Sequence, residues 1–227
     1  FVIHLAEGID QTARNEFAQW QSMGMLDDRT TIIHGTALEA PEWSAMAAAG
    51  AHLVWSPQTN LWLYGATADV PGALAAGLNV ALAPDWTESG CNSVLDEMKI
   101  ANGWSNSEWG SLLTPQMLAE MVTVNAAEAL GTSDIRGAIL PGLRADLMVI
   151  PGDPGTPYDA LLAANAADVK LTVVSGRPGY GDQALMDQFD FLTLVEDITI
   201  TGQPKRLALA IESHAIDYSD QSFNDVI

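Results

Sequence analysis

Positive charge is scarce in this 227-residue sequence, which has 9 lysine and arginine residues against 29 aspartate and glutamate residues and a formal net charge of -20. Without a basic surface, the chain lacks the electrostatic attraction that binds a nucleic-acid backbone or an anionic membrane. A surface this acidic keeps a protein dissolved and favours high salt. We therefore expect neither nucleic acid nor membrane as a partner.

Cysteine and long apolar runs are also scarce. Cys91 is the single cysteine, so no intramolecular disulfide can form, which favours a reducing compartment and a cytoplasmic location. A lone cysteine of this kind is more often a small packing residue than a nucleophile. No run of about 18 apolar residues is present, which excludes a transmembrane helix at the level of sequence.

Four short apolar runs each lead to a side chain that is able to do chemistry. They are FVI before His4, TII before His34, HLVW before Ser56 and VALA shortly before Asp85. Polar stretches compatible with helices separate these runs, and alternation of strand and helix predicts a parallel sheet. Reactive residues at successive carboxyl ends of strands are typical of an α/β barrel active site.

The spacing of apolar residues divides the chain into two parts. Residues 1–135 alternate between strands and helices, whereas residues 136–227 read as a smaller β-rich domain that ends in a polar tail. Helices are predicted over 11–23, 41–49, 71–76, 93–101 and 115–130. The glycine-rich segment 176–181 fits neither the dinucleotide fingerprint nor the P-loop and is predicted as a turn.

Several segments in register resemble the metal-dependent amidohydrolase superfamily, and in particular the branch that contains cytosine and guanine deaminases and atrazine chlorohydrolase. The segments are HLAE at 4–7, IIHG at 32–35, SPQTNL at 56–61, VALAPDW at 80–86, TVNAAEALG at 123–131 and GAILPGLRADL at 137–147. The resemblance implies that the four strands are the fifth to eighth of a (β/α)8 TIM barrel. It also implies that part of a small β-sandwich domain follows.

The resemblance also implies roles for the residues at the strand ends. His4 and Asp85 would bind one divalent metal ion, Zn or Fe, for which imidazole and carboxylate are suitable ligands. Asp85 would also accept a proton from the attacking water, whose pKa the metal lowers. Glu7 would carry protons to the substrate nitrogen, and His34 would hydrogen-bond the water or polarise the substrate.

Three further residues are candidates for contact with a small-molecule substrate. Ser56 and Asn60 are expected to shape the loop after the third strand, and Trp86 would form an aromatic wall for a flat ring. Each candidate also has a structural interpretation when taken singly. Asp85, for example, would cap a helix, and Trp86 would pack in a core or an interface.

The sequence departs from the family pattern in one large respect, because it contains no His-x-His pair to supply two further ligands. Two ligands hold a catalytic metal poorly. We therefore expect a fragment that lacks the N-terminal half of the barrel, is inactive alone and need not hold a metal. Its open sheet edges would associate with the missing half or with copies of the chain as a homo-oligomer.

The function expected for the intact protein is the hydrolysis of C–N bonds in a cyclic amidine or heteroaromatic amine, as in a deaminase. Glu7 favours this reaction over dechlorination, because protonation of a ring nitrogen helps an amine to leave. Two alternatives stay open. One is the hydrolysis of a cyclic or peptide-like amide, and the other is a non-catalytic scaffold without metal.

Overall fold

The computed structural model describes residues 1–190 and 192–211, and these residues form two compact units that divide between Ala138 and Ile139. The polar tail that we expect at the end of the chain lies outside the described residues. The strands of the first unit are β1 (Val2–Leu5), β2 (Thr31–His34), β3 (His52–Trp55) and β4 (Asn79–Leu82). Its helices are α1 (Gln11–Ser22), α2 (Ala40–Ala49), α3 (Pro57–Tyr64), α4 (Val70–Ala75), α5 (Val94–Glu108), α6 (Pro115–Met121) and α7 (Val124–Ala129).

The four strands of the first unit form one parallel sheet in the order β1-β2-β3-β4. The register places Ile32, Leu53 and Val80 side by side on three neighbouring strands. All three side chains are fully buried, so this row is the centre of the core on the sheet. Trp43 and Met46 of α2 are buried with them and contribute the helical part of the core.

Local signals explain the first two helices. Asp10 begins α1 by accepting a hydrogen bond from the Ala13 amide at 2.9 Å, as a helix N-cap does. In α2, Glu39 and Glu42 form a reciprocal capping box, and Gly50 ends the helix in the left-handed conformation. Both helices lie where the sequence predicts them.

Two parts of the first unit differ from the sequence prediction. The segment after β3 that we expected as a loop is the helix α3, with Ser56 as its N-cap residue and Pro57 in its first turn. The single helix predicted over 115–130 is two helices, because Thr123 leaves the helical conformation. The Thr123 hydroxyl donates to the Ala119 carbonyl at 2.7 Å, a side-chain bond that competes with the helix backbone.

The second unit is built on an antiparallel sheet in the order β5-β6-β7-β9-β8. Its strands are β5 (Leu147–Val149), β6 (Leu171–Val174), β7 (Arg177–Asp182), β8 (Leu192–Ile200) and β9 (Gln203–Ile211), and its helices are α8 (Pro157–Ala163) and α9 (Gln183–Met186). Segment 176–181, predicted as a turn, is mostly strand β7, so that prediction is wrong. Only Ser175 and Gly176 turn, both with positive φ, and a register shift in β6 accommodates Pro178, which has no amide hydrogen to donate.

Within residues 1–190 and 192–211, no helix has the length and apolar character needed to cross a membrane.

Gly35 provides a test of the packing directly behind the strand ends. A Cβ at Gly35 would lie 3.1 Å from Trp43, 3.2 Å from Leu53 and 3.3 Å from Leu38, and Gly35 also has φ +59. We expect Gly35→Ala to destabilise the first unit by about 2–4 kcal/mol, which combines the cost of the left-handed conformation with overpacking. Urea unfolding followed by tryptophan fluorescence measures this unit alone, because all seven tryptophans precede residue 110.

Gly24→Ala is the matched control for this measurement. Gly24 has φ +69, but nothing lies within 4 Å of the Cβ that would be added. The Gly24→Ala substitution should therefore lower the free energy of unfolding by only about 1–2 kcal/mol. Equal losses in the two variants would contradict the tight packing at Gly35.

Candidate active site

Three of the predicted site residues meet at the carboxyl edge of the parallel sheet. His4 lies in β1, His34 is the last residue of β2, and Asp85 follows β4. Each offers one possible ligand atom, and these atoms all lie within 4.8 Å of one another. The two imidazole rings have centroids 5.2 Å apart. Parallel strands bring such residues together because their carboxyl ends lie at the same edge.

The backbone turns sharply where β1 and β2 end. Ala6 has φ 54 and His34 has φ 72, values in the left-handed region that few residues other than glycine adopt. The Ala6 amide donates to Glu16 Oε2 of α1 at 2.9 Å, which holds the first of these turns. Strained conformations of this kind persist where the surrounding structure fixes them, and they are frequent at functional sites.

His34 is the central and most enclosed group of the site. Its side chain is fully buried, and Nε2 lies 3.5 Å from Glu7 Oε2 and 3.8 Å from Asp85 Oδ2. Nδ1 lies 3.0 Å from Asn60 Nδ2. Burial lowers the pKa of the imidazole, although the negative charges of Glu7 and Asp85 oppose this effect. The ring is therefore neutral at neutral pH.

Glu7 lies beside these groups and is held by a residue of α3. The Tyr64 hydroxyl donates to Glu7 Oε1 at 3.1 Å. Burial, together with this hydrogen bond to a carboxylate, raises the pKa of Tyr64, so the phenol stays a donor. About a quarter of the Glu7 and Asp85 side-chain surface remains exposed, at 27% and 24%. Both carboxylates are thus accessible to a small molecule.

The three candidate substrate residues differ in how far they are exposed to solvent. Ser56 is buried at the start of α3, and Asn60 is buried one turn later, in contact with His34. Trp86 follows Asp85 directly, and its side chain is 69% exposed. An indole in this position is free to contact a molecule that enters the site.

The residues present fit a divalent metal ion. The His4 imidazole and the Asp85 carboxylate are ligands suited to zinc or iron, and the His34 imidazole lies beside them. The Nε2 atom of His34 is buried and has no hydrogen-bond partner among the residues that the structure describes. Such an atom requires a polar partner, which an oxygen ligand of a bound metal would provide.

Four residues near the site were not found by sequence reasoning: Tyr64, Thr67, Glu97 and Glu16. Tyr64 lies on α3, four residues after Asn60, which is the spacing of one helix face. The Ser-Pro pair at the start of this segment is a helix-start signal, and it would have indicated the helix and this shared face.

Glu97 of α5 fixes the start of α3. It is fully buried, and Oε1 accepts a hydrogen bond from the Gln58 amide at 2.9 Å. Burial raises the pKa of Glu97. Burial and the neighbouring Glu97 carboxyl also raise the pKa of the Cys91 thiol to about 12. This protonated thiol is no nucleophile, in agreement with a packing role.

Comparison with known proteins identifies the family. Residues 2–180 match the model of the amidohydrolase family, and the chain belongs to this family. The resemblance inferred from the sequence segments is thereby confirmed. The chain has the α/β fold seen in other amidohydrolases.

Curated relatives and solved structures agree with this assignment. A 5-methylthioadenosine/S-adenosylhomocysteine deaminase from Desulfitobacterium hafniense is 28% identical over 200 residues, covering 81% of this chain and 46% of the relative. A protein of the same description from Haloquadratum walsbyi is 30% identical over 178 residues, covering 74% and 40%. The chain thus spans about half the length of the curated relatives that it matches.

Among solved structures, an adenosine deaminase from Xanthomonas campestris with bound zinc has a TM-score of 0.71 at 22% identity. The likeness covers 78% of this chain and 44% of the deaminase. An atrazine chlorohydrolase from Arthrobacter aurescens in complex with zinc has a TM-score of 0.66 at 23% identity, covering 78% and 43%. At these identities the likeness shows the fold alone.

The buried carboxyl of Glu97 predicts a pH-dependent contribution to stability. Because its pKa is raised in the folded chain, the contribution is fully present below the pKa of the unfolded chain, about 4.3, and is lost as the pH rises through the higher folded value. Relative to Glu97→Gln, the wild type should therefore lose free energy of unfolding as the pH rises. Urea unfolding followed by tryptophan fluorescence at several pH values measures this difference.

Glu108→Gln removes the same charge from the exposed end of the same helix and serves as the control. A wild type that gains stability relative to Glu97→Gln as the pH rises would contradict the raised pKa.

Proposed function

We propose that the four-stranded sheet is half of a (β/α)8 barrel and that its carboxyl edge carries the active site of a metal-dependent hydrolase of C–N bonds. The observation that carries the proposal is the convergence of His4, His34 and Asp85, with Glu7 beside them. Family membership and the deaminase relatives support the reaction class. A heteroaromatic amine or cyclic amidine is the proposed substrate class.

In this proposal His4 and Asp85 bind the metal, zinc or iron. When bound, the metal supplies a Lewis acid and lowers the pKa of water, so that the nucleophile forms at neutral pH. Catalytic zinc normally has three protein ligands. We propose that further ligands come from the strands that complete the barrel. The edges of β1 and β4, which pair with no other strand in the described part of the chain, would then join those strands or a second copy of the chain.

The side chains of the site have separate tasks in the reaction. Water adds to the ring carbon that bears the amine, and Asp85 accepts the proton that the water gives up. Glu7 carries this proton from Asp85 to the nitrogen side of the substrate, so both carboxylates are regenerated; the C–N bond breaks, and ammonia leaves while the ring keeps the oxygen. Tyr64 orients Glu7 through its hydrogen bond to Oε1, and His34 donates a hydrogen bond to the oxygen that attacks.

Recognition of the ring is proposed for the exposed side of the site. Trp86 stands next to Asp85 and offers a flat apolar face. Ser56 is buried at the start of α3, and we propose that it supports this helix beneath the substrate. The names of the relatives suggest nucleosides with an amino-purine ring as first substrates to test, namely 5-methylthioadenosine and S-adenosylhomocysteine.

Metal binding by the complete enzyme, meaning this chain together with the strands that close the barrel, tests the ligand assignment. We expect His4→Gln and Asp85→Asn each to weaken Zn²⁺ binding by at least about tenfold, because each removes a ligand. His34→Gln should weaken it by less than about threefold, because His34 is a donor and not a ligand in this proposal. Calorimetric titration with ZnCl₂ measures the three affinities, and His52→Gln, away from the site, is the control. No loss in either ligand variant would overturn the assignment.

Activity tests the reaction in the complete enzyme, meaning this chain together with the strands that close the barrel. Glu7→Gln should lower kcat at least about 100-fold, because the proton carrier is lost, while metal content is unchanged. Tyr64→Phe should lower kcat less, by about tenfold, because Glu7 keeps its carboxyl and loses only its orientation. Ammonia release from the two nucleosides and from guanine is the measurement.

A chlorinated triazine and a cyclic amide are the comparison substrates for the activity measurement. Turnover of these compounds alone, or full activity of Glu7→Gln, would reject the deaminase proposal. A complete protein that binds no metal and turns over none of the compounds would be the non-catalytic scaffold.

A further inference from the structure

We propose that a hydrogen-bonded chain from Trp55 through Thr67 and Asn60 fixes the tautomer of His34, with its proton on Nε2. Asn60 and Thr67 are then positioning residues, because they act on the site through His34 and do not themselves touch the substrate. The role of His34 in hydrolysis rests on the proposed function, whereas the tautomer itself does not.

The hydrogen-bonded chain begins at the indole of Trp55, which can donate a hydrogen bond but cannot accept one. The indole Nε1–H of Trp55 has no acceptor capacity, and it lies 2.6 Å from Thr67 Oγ1. Thr67 therefore accepts at its oxygen and has its own hydroxyl hydrogen left to donate. That hydrogen is directed to Asn60 Oδ1, which lies 3.2 Å away.

The hydrogen bond from Thr67 determines the orientation of the Asn60 amide. Because Oδ1 accepts from Thr67, the other end of the amide, Nδ2, is the end that faces His34. Nδ2 lies 3.0 Å from His34 Nδ1 and has only hydrogens to offer. Nδ1 must then present a lone pair. In a neutral imidazole the single proton lies on Nε2.

Burial makes this arrangement strongly directional. Asn60 and His34 are both fully buried, so water does not compete for the hydrogen bond between them, whereas Thr67 is half-buried. In such surroundings a mismatched donor pair, with N–H facing N–H, leaves both groups unsatisfied. Reversal of the His34 tautomer would create that mismatch with Asn60.

The two histidines of the site therefore have different roles. With a proton on Nε2 and a hydrogen bond at Nδ1, His34 has no free lone pair with which to bind a metal. It instead directs an N–H towards the space between Glu7 and Asp85. The proximity of His34 to His4 and Asp85 thus reflects a donor to an oxygen atom and not a third metal ligand.

A second histidine in the same sheet supplies an internal comparison. Asn79 Nδ2 lies 3.1 Å from His52 Nδ1 and also donates to the Asn125 carbonyl at 3.0 Å. A carbonyl only accepts, so this amide too is fixed with its nitrogen towards the imidazole. His52 is the first residue of β3 and Asn79 the first of β4, at the opposite edge of the sheet from the site.

The experiment is long-range ¹H–¹⁵N NMR of the 227-residue chain labelled with ¹⁵N-histidine, without metal and at a pH where the histidines are neutral. The chain has 4 histidines, and single His→Gln variants assign them. We expect His34 to show a protonated Nε2 and an unprotonated Nδ1. A wild-type spectrum with the proton of His34 on Nδ1 overturns the proposal.

Two variants test the chain that sets the tautomer. In Asn60→Asp a carboxylate, which only accepts, faces the imidazole, and Nδ1 of His34 should become protonated. In Thr67→Val the amide loses the hydroxyl that orients it, and the ratio of the Nε2–H to the Nδ1–H form should fall at least about tenfold, the equivalent of one hydrogen bond. Asn79→Asp is the control and should change His52 while leaving His34 unchanged.

The NMR spectra test the proposed tautomer and its hydrogen-bonded chain independently of whether the protein has hydrolase activity. An Nε2–H tautomer that persists in Asn60→Asp, or a ratio unchanged in Thr67→Val, overturns the role of the chain. Should either variant fail to fold, the wild-type spectrum still decides the tautomer. Absence of any hydrolysis together with the expected spectra would reject the proposed function alone.

Discussion

Parallel pairing of four strands, each only four residues long, is the constraint on which the site depends. It brings all four carboxyl ends to one edge, where an antiparallel sheet would send alternate ends to opposite edges. The register is held by the buried row of Ile32, Leu53 and Val80. A slip of one residue would turn this row away from the core, so packing on one face fixes the position of His34.

The sequence was sufficient to predict the strands of the first unit and those helices whose apolar face runs unbroken. α1 is the clear example, with Ala13, Phe17 and Trp20 buried along one side. α3 was missed because its buried face carries Thr59 and Asn60, which an apolar period cannot detect. The prediction of a turn at segment 176–181 was wrong for another reason. Its glycines and proline indicate a turn locally, but pairing with β6 and β9 makes it a strand.

For the site, the residue types at the strand ends predicted which groups converge, because parallel topology alone brings them close. The sequence could not predict how these groups are oriented. The left-handed backbone at His34 and the hydrogen bonds from Asn60 and Tyr64 depend on the detailed packing of α3 against the sheet. Ligand and catalytic roles for these residues remain proposals. Membership of the amidohydrolase family is confirmed, because it rests on many segments and not on one geometry.

The eight residues of α3 have an implication for how such a site can vary. One helix holds both Glu7, through Tyr64, and His34, through Asn60, and its first turn is fastened to α5 by Glu97. The positions of Glu7 and His34 are therefore coupled, because a shift or rotation of α3 would move both side chains at once. Divergence towards a new substrate would proceed more easily through the exposed loop at Trp86, which can change shape without disturbing the machinery beneath it.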